Sequence, residues 1–524
     1  MPAVVYLLFA GTALCAFFLL IGLRTTIAAI GTWIGVLMIH TLDPLVLQGG
    51  DILIRVVLFV GMWLPWGRAF SVDAALEFPQ KLPRCAIATA WTGVYLLQVS
   101  YIYFFAALEK TGAEWRSEGT AVYYALSIDQ LSTPVGEFML GFPLILMIET
   151  FGVLALQHAS LFMLFSPIAT FATRTLATLL LMGMHISFAI HMNLGPFSWI
   201  SVTALCGFLH PRVWDALGSL LARRWGGMTI FYDGDCGFCH RSVHILRMAM
   251  LLPSTQIMSA QENSSVRADM LREDSWVIQT PDGNRFFGFE AFIQMCRRSL
   301  LLFWVAPILR LWICRSIGER VYRFVANHRS RVCTVPPPAA PAIPRVLRIG
   351  LVSMSSILAV TYLIVITIWN INNRHQFERL QPFLAEYGGI VRMLGIDQWW
   401  NMFAPFPIKD DGWYLIEGFR SDGSVVNLFA PNEPLYDTKP PNVSALYPNE
   451  RWRKYLMNLS HVNYARYRKY FTEYLCRTHP DIERVELVFV IEHTMPDYAP
   501  PLLRRDLLEW RHCTRPENQA ATSE

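Results

Sequence analysis

The run Val346–Trp369 carries 24 residues with one charge, Arg348, near its start. About 20 apolar residues in helical form cross the ~30 Å of hydrocarbon in a bilayer, so this stretch predicts a transmembrane helix. Further apolar segments lie near residues 3–23, 27–47, 52–66, 86–108, 137–157, 159–173, 175–192 and 196–211. They predict a bundle of seven or eight spans. The first is not read as a signal peptide, because no basic residue precedes Val4 and Arg24 follows it in place of a small-residue cleavage site. Composition agrees: 53% of the residues are hydrophobic and 16% charged, against about 25% charged in soluble domains. A net charge of +4 without a long basic tract argues against nucleic acid as a partner. The lipid bilayer is the partner this composition requires.

Between the bundle and that last span, composition turns soluble. Residues 212–226 carry Arg212, Arg223 and Arg224 out of the membrane. Residues 227–333 read as strands and amphipathic helices, with a turn at Pro281–Asn284. A Pro-rich linker spans 334–345, and the last span is placed at 346–369. Residues 378–515 form a second soluble region. There, Trp413–Phe419 and Ser424–Phe429 flank a Ser421-Asp-Gly turn as a hairpin, Tyr464–Cys476 reads as a helix and Val485–Glu492 as a strand. Residues 516–524 read as a disordered tail. The expected fold class is therefore a polytopic α-helical membrane bundle (1–215), an α/β domain, one further transmembrane helix and a small α+β C-terminal domain.

The chemistry-bearing stretch is Asp233-Gly-Asp-Cys-Gly-Phe-Cys239, which follows a short apolar strand and opens a helical pattern. A helix N-terminus favours the thiolate of Cys236, and Cys239, one turn on, can resolve a mixed disulfide. Two other readings stay open: half of a metal site, for which the sequence offers no partner ligands, and a structural remnant of a redox fold. Asp233, Gly234 and Asp235 would shape the turn.

Within the bundle, Lys110 follows an apolar segment and is flanked by Trp115. A desolvated lysine can serve as a base; a snorkelling interfacial lysine is the alternative. His185 and His191 share an apolar helix. Six residues turn about 600° along a helix, so the two rings face sides about 120° apart and do not chelate one ion easily. His185 is either a substrate contact or a satisfied interior histidine. Asp51, Asp73 and Glu149 read as interfacial or capping acids. Trp399, Trp400 and Trp413 read as the core of the C-terminal domain, with a ligand-stacking surface as the alternative.

Met228-Thr-Ile-Phe-Tyr-Asp-Gly-Asp-Cys-Gly-Phe-Cys239, with the later Phe286-Phe-Gly-Phe-Glu-Ala-Phe-Ile293, resembles the DCC-type thiol-disulfide oxidoreductase family. That resemblance implies a thioredoxin-like fold over about 227–333. It departs from thioredoxins in having Phe238 where they carry a proline before the second cysteine. Gly22-Leu-Arg-Thr-Thr-Ile-Ala-Ala-Ile30, Gly49-Gly-Asp51, Phe70-Ser-Val-Asp73, Lys110–Trp115 and His185–Phe197 resemble the horizontally transferred transmembrane (HTTM) domain of vitamin K-dependent gamma-glutamyl carboxylases, N-terminally shortened. This second resemblance implies Lys110 as the base that deprotonates a hydroquinone, His185 and Trp115 at a quinone pocket, and a quinone as cofactor.

Two function classes follow. One is a membrane-bound thiol-disulfide oxidoreductase acting on a protein or small-molecule redox partner. The other is a quinone- or lipid-dependent carboxylase-like enzyme. A non-enzymatic membrane scaffold is the third reading. Arginines cluster on the N-terminal side of the last span, at Arg310, Arg315, Arg320, Arg323, Arg329 and Arg331. The positive-inside rule then predicts a cytoplasmic thiol domain and an external C-terminal domain; the expected setting is a bacterial inner membrane.

Overall fold

A computed structural model describes residues 2–76, 88–225, 227–252, 255–329, 345–372, 381–429, 434–436 and 438–513. The linker expected at 334–345 (Arg345 apart) and the tail expected at 516–524 lie outside these residues.

Among the described residues, six helices are long and apolar enough to cross a membrane: Ala3–Ile21, Thr25–Leu42, Ala90–Glu109, Pro143–Phe165, Thr170–His191 and Ile349–Asn372. Seven or eight spans, some of them short, are expected before residue 215; among the described residues five helices there have spanning length. Segments 137–157 and 159–173 are not two spans. Pro134, capped by Thr133, starts a short helix that ends at Met139, and Pro143 starts one continuous helix that runs to Phe165. Proline suits the first helical turn, where its missing N–H costs nothing. Segment 52–66 becomes the 13-residue helix Gly49–Gly61, and 196–211 becomes the shorter apolar helix Phe197–Phe208. Segment 27–47 stops at Leu42, because Asp43 and Pro44 open a new 3-10 turn.

The chain forms two compact units. The first comprises Met1–Val36, Leu58–Val94 and Leu209–Thr361. It contains a four-stranded sheet: β1 (Met228–Tyr232), β2 (Thr255–Ser259), β3 (Val277–Gln279) and β4 (Arg285–Phe286). The order is β2-β1-β3-β4, with β1 parallel to β2 and antiparallel to β3. Side chains alternate along a strand, so neighbours serve opposite faces. Ile230 and Ile278 join Val243, Ala291, Ile293 and Met295 from the helices Gly237–Ala249 and Gly288–Arg297. Phe231 and Val277 join Val266 and Met270 from the helix Ser264–Glu273. Helices on both faces of this sheet give the thioredoxin-like α/β domain. In the same unit, Asp73 caps the helix Thr25–Leu42: its carboxylate accepts the N–H groups of Arg24 and Thr25 at 2.9 and 2.8 Å and the Thr25 hydroxyl at 2.7 Å. Burial opposes its ionisation, but these hydrogen bonds outweigh it and lower its pKa.

The second unit comprises Leu37–Val57, Tyr95–Phe208 and Tyr362–Glu524. Its helical core includes Leu53, Tyr103, Leu164, Leu181, Phe197 and Phe208. Buried polar groups there satisfy one another. Gln98 donates to Gln398 Oε1 at 2.7 Å, Trp400 Nε1 donates to the same atom at 2.7 Å, and Tyr362 donates to Gln98 Oε1 at 2.8 Å. An unpaired amide at this depth would cost several kcal/mol. A second sheet, in the order β6-β5-β7-β8, is antiparallel throughout. Its strands are β5 (Asp410–Arg420), β6 (Val425–Asn427), β7 (Ile482–His493) and β8 (Leu502–His512). The helices Glu450–Ser460 and Arg468–Thr478 supply Leu456, Leu459, Phe471 and Leu475 to the core around Trp413. A disulfide joins Cys476 to Cys513. The three tryptophans do not share this core: Trp413 is in it, Trp400 belongs to the helical core, and Trp399 is exposed.

Candidate functional sites

β1 delivers the chain to the thiol loop. Cys236 is extended and caps the helix Gly237–Ala249, its sulfur accepting the Cys239 N–H at 3.4 Å. The loop is held from the far end of β2. The parallel register sets Ser259 level with Tyr232. Gln261, just beyond, therefore reaches Asp233 Oδ1 at 2.8 Å and Asp235 Oδ2 at 3.1 Å through its side-chain nitrogen. Its oxygen accepts the Gly234 N–H at 2.9 Å and the Ser259 hydroxyl at 2.5 Å. A side chain at Gly234 would collide with Ser259 Oγ, which explains glycine there. Gln261 was absent from the sequence expectations. The signal that finds it is topological, since residues following two parallel strands meet at one sheet end.

Cys236 is almost fully buried, and Cys239 is half-buried. Cys236 takes part in a disulfide, whereas Cys239 is a free thiol. Further along the thiol helix, the His240 and His244 rings lie 4.5 Å apart, and Tyr232 packs against both. Burial lowers the pKa of His240 and pushes His244 down to about 4. Positive potential at the loop thus comes from the helix N-terminus rather than from imidazolium. Among the described residues, no group of three or more His, Cys, Asp or Glu side chains could hold a metal ion. The thiol helix packs against the short helix Val72–Leu76 of the same unit.

Lys110 and Trp115 come together in the second unit. Lys110 is 3% exposed. Its ammonium donates to the Ala106 carbonyl at 3.3 Å and lies 5.0 Å from the Trp115 ring centre. No carboxylate pairs with it among the described residues, and burial pushes its pKa down to about 7. A snorkelling lysine would reach water, so the interfacial alternative does not describe this side chain. Residues 403–409 hold the loop in place. Trp115 Nε1 donates to the Phe403 carbonyl at 2.8 Å, the Gly112 N–H to Pro405 at 3.0 Å, and Lys409 pairs with Glu114 at 2.7 Å.

His185 is 1% exposed, its Nε2 3.0 Å from the Tyr103 hydroxyl. Its Nδ1 has no hydrogen-bond partner. The rings of Phe197 and Phe188 stand 5.4 and 5.8 Å away. Tyr103 lies seven residues before Lys110, which is two turns on nearly one helix face and about 10 Å along the axis. His185 thus reaches the Lys110 face through Tyr103, a residue the sequence reading passed over. Asp51 is an ion-pair partner: Arg451 donates to its two oxygens at 2.6 and 2.8 Å.

Residues 1–214 match the family model of the HTTM domain, and residues 230–334 match that of the DCC1-like thiol-disulfide oxidoreductase. No curated protein and no solved structure matches the chain. The six apolar helices and the HTTM match fit an integral membrane protein. The chain is therefore a fusion of an HTTM domain with a DCC1-like thiol-disulfide oxidoreductase domain.

Proposed function

We propose that Cys236 and Cys239 are the working dithiol of a membrane-bound thiol-disulfide oxidoreductase. The observation that carries this reading is the N-cap geometry: the Cys236 sulfur sits at the positive end of a helix and accepts the Cys239 N–H at 3.4 Å. A hydrogen bond and a helix dipole both favour thiolate over thiol. In the reductive direction, once the disulfide that engages Cys236 has been reduced by a dithiol, the Cys236 thiolate attacks a partner disulfide. One partner sulfur leaves as a thiolate and takes a proton, and a mixed disulfide forms. The Cys239 thiolate then attacks Cys236, releasing the partner dithiol and leaving the 236–239 disulfide, which a second dithiol reduces again.

A cytoplasmic thiol domain is part of this proposal. The arginines between the bundle and the last span, from Arg310 to Arg331, support that side by the positive-inside rule. The Cys476–Cys513 disulfide suits the C-terminal sheet to an oxidising compartment. The test is mixed-disulfide trapping. Cys239→Ser should accumulate a partner linked through Cys236, and Cys236→Ser should accumulate none. Equal trapping by both variants would refute the assignment.

A second reading rests on Lys110, buried beside Trp115 without a carboxylate. Its amine, with a pKa near 7, would take a proton from a hydroquinone bound in the HTTM domain. Quinol-dependent turnover should rise with pH up to about 7 and then level off. Full turnover by Lys110→Ala would remove this reading.

A further inference from the structure

A pocket of about 620 Å³ opens in the second unit, away from Lys110 and the thiol loop in the sequence. It lies between the 3-10 turn Pro44–Val46 and the helices Glu450–Ser460 and Arg468–Thr478. Small-molecule sites commonly measure 300–1,000 Å³. Its walls are aromatic: Trp452, Tyr455, Tyr470 and Tyr474 contribute. Trp452 and Tyr455 meet edge to face at 5.7 Å, and Phe471 braces both from 6.4 and 5.5 Å.

The charges at the pocket are unequal in their needs. Arg451 is neutralised by Asp51 at 2.6 and 2.8 Å. Glu450 faces Arg453 at 3.2 Å. Asp43 has only the Leu45 N–H, at 2.9 Å, and no cation pairs with it among the described residues. Burial raises its pKa against that single bond. The start of the helix Glu450–Ser460 is no anion site, because the Asn449 side chain already accepts the N–H groups of Arg451 and Trp452.

We infer that this pocket binds an alkylammonium group, held by the aromatic faces and by the Asp43 carboxylate. Aromatic cages take quaternary ammonium groups through the negative face of the ring, and a carboxylate adds the counter-charge. An anion would meet Asp43, and a neutral apolar ligand would leave it unpaired. Asp43 directly follows the candidate span Thr25–Leu42, which puts the pocket at headgroup depth. The ammonium can therefore come from a lipid headgroup or from a soluble amine.

Calorimetric titration of the full chain in maltoside micelles with choline tests the idea, using 3,3-dimethylbutanol as the uncharged isostere. Choline should bind saturably, and the isostere about 10-fold or more weakly, as expected for loss of a cation–π and charge contribution of at least ~1.4 kcal/mol. Asp43→Asn keeps the cap on Leu45 and should weaken choline by a similar factor; Tyr470→Leu, at an exposed position, should also weaken it. Native mass spectrometry after reconstitution separates the sources. Retained phosphatidylcholine that is lost in Asp43→Asn identifies a lipid headgroup, and choline binding without retained lipid identifies a soluble amine. No choline binding together with no retained lipid, equal affinity for the isostere, or unchanged affinity in both variants would overturn the inference.

Discussion

Gln261 donates to Asp233 Oδ1 at 2.8 Å across 28 residues of sequence, from the end of β2 to the thiol loop. Its oxygen receives Gly234 on the other side of the turn. One amide therefore sets the loop that presents Cys236. Gln261→Ala should slow alkylation of Cys236 by about 10-fold, on the scale of one or two hydrogen bonds. Gln261→Glu should slow it further, because it places a third carboxylate beside Asp233 and Asp235. Alkylation rate against pH, measured on the reduced protein, separates the role in positioning from simple loss of fold. Positioning predicts an upward shift of the thiol's apparent pKa with the melting temperature little changed.

The proposed cytoplasmic side of the thiol domain predicts a sided labelling pattern. A membrane-impermeant maleimide should modify Cys236 only after lysis, following mild reduction. Asp422→Cys, on the exposed turn between β5 and β6, should be modified in intact cells. Reversal of the two would place the dithiol on the oxidising side.

The C-terminal sheet has a pH-sensitive acid. Asp411 is 4% exposed and accepts Gln130 Nε2 at 2.8 Å. Burial, with the nearby Asp129 and Glu492 charges, pushes its carboxyl up to about 7. A folded-state pKa above the unfolded one stabilises the fold below the ordinary carboxylate range and loses that contribution as pH rises through about 7. The melting temperature should therefore fall between pH 5 and pH 8 in the natural protein and fall less in Asp411→Asn. Equal slopes would show that Asp411 is ionised throughout.

Local features of this protein were legible in the sequence, and long-range ones were not. The thiol loop follows from a strand, a turn and a helix cap within a dozen residues, and the hairpin β5–β6 from an Asp-Gly turn. β8 was missed. Its Leu502-Leu-Arg-Arg-Asp-Leu-Leu-Glu509 pattern has helical spacing and many charges, and pairing with β7 overrides it. The bond between Cys476 and Cys513, 37 residues apart, and the contact between Tyr103 and His185, 82 apart, depend on packing that no local pattern reports. In the bundle, hydropathy located apolar segments but not their ends. Prolines at 134 and 143 and the Asp43-Pro44 turn set those ends.

The central claim is that Cys236 is the attacking sulfur of a dithiol oxidoreductase. Stopped-flow reduction of a small aromatic disulfide by the pre-reduced full chain in nanodiscs tests it most directly. The account predicts a fast phase of one equivalent that disappears in Cys236→Ser. In Cys239→Ser it predicts that the first thiol is still released while the mixed disulfide persists. An unchanged fast phase in Cys236→Ser would contradict it.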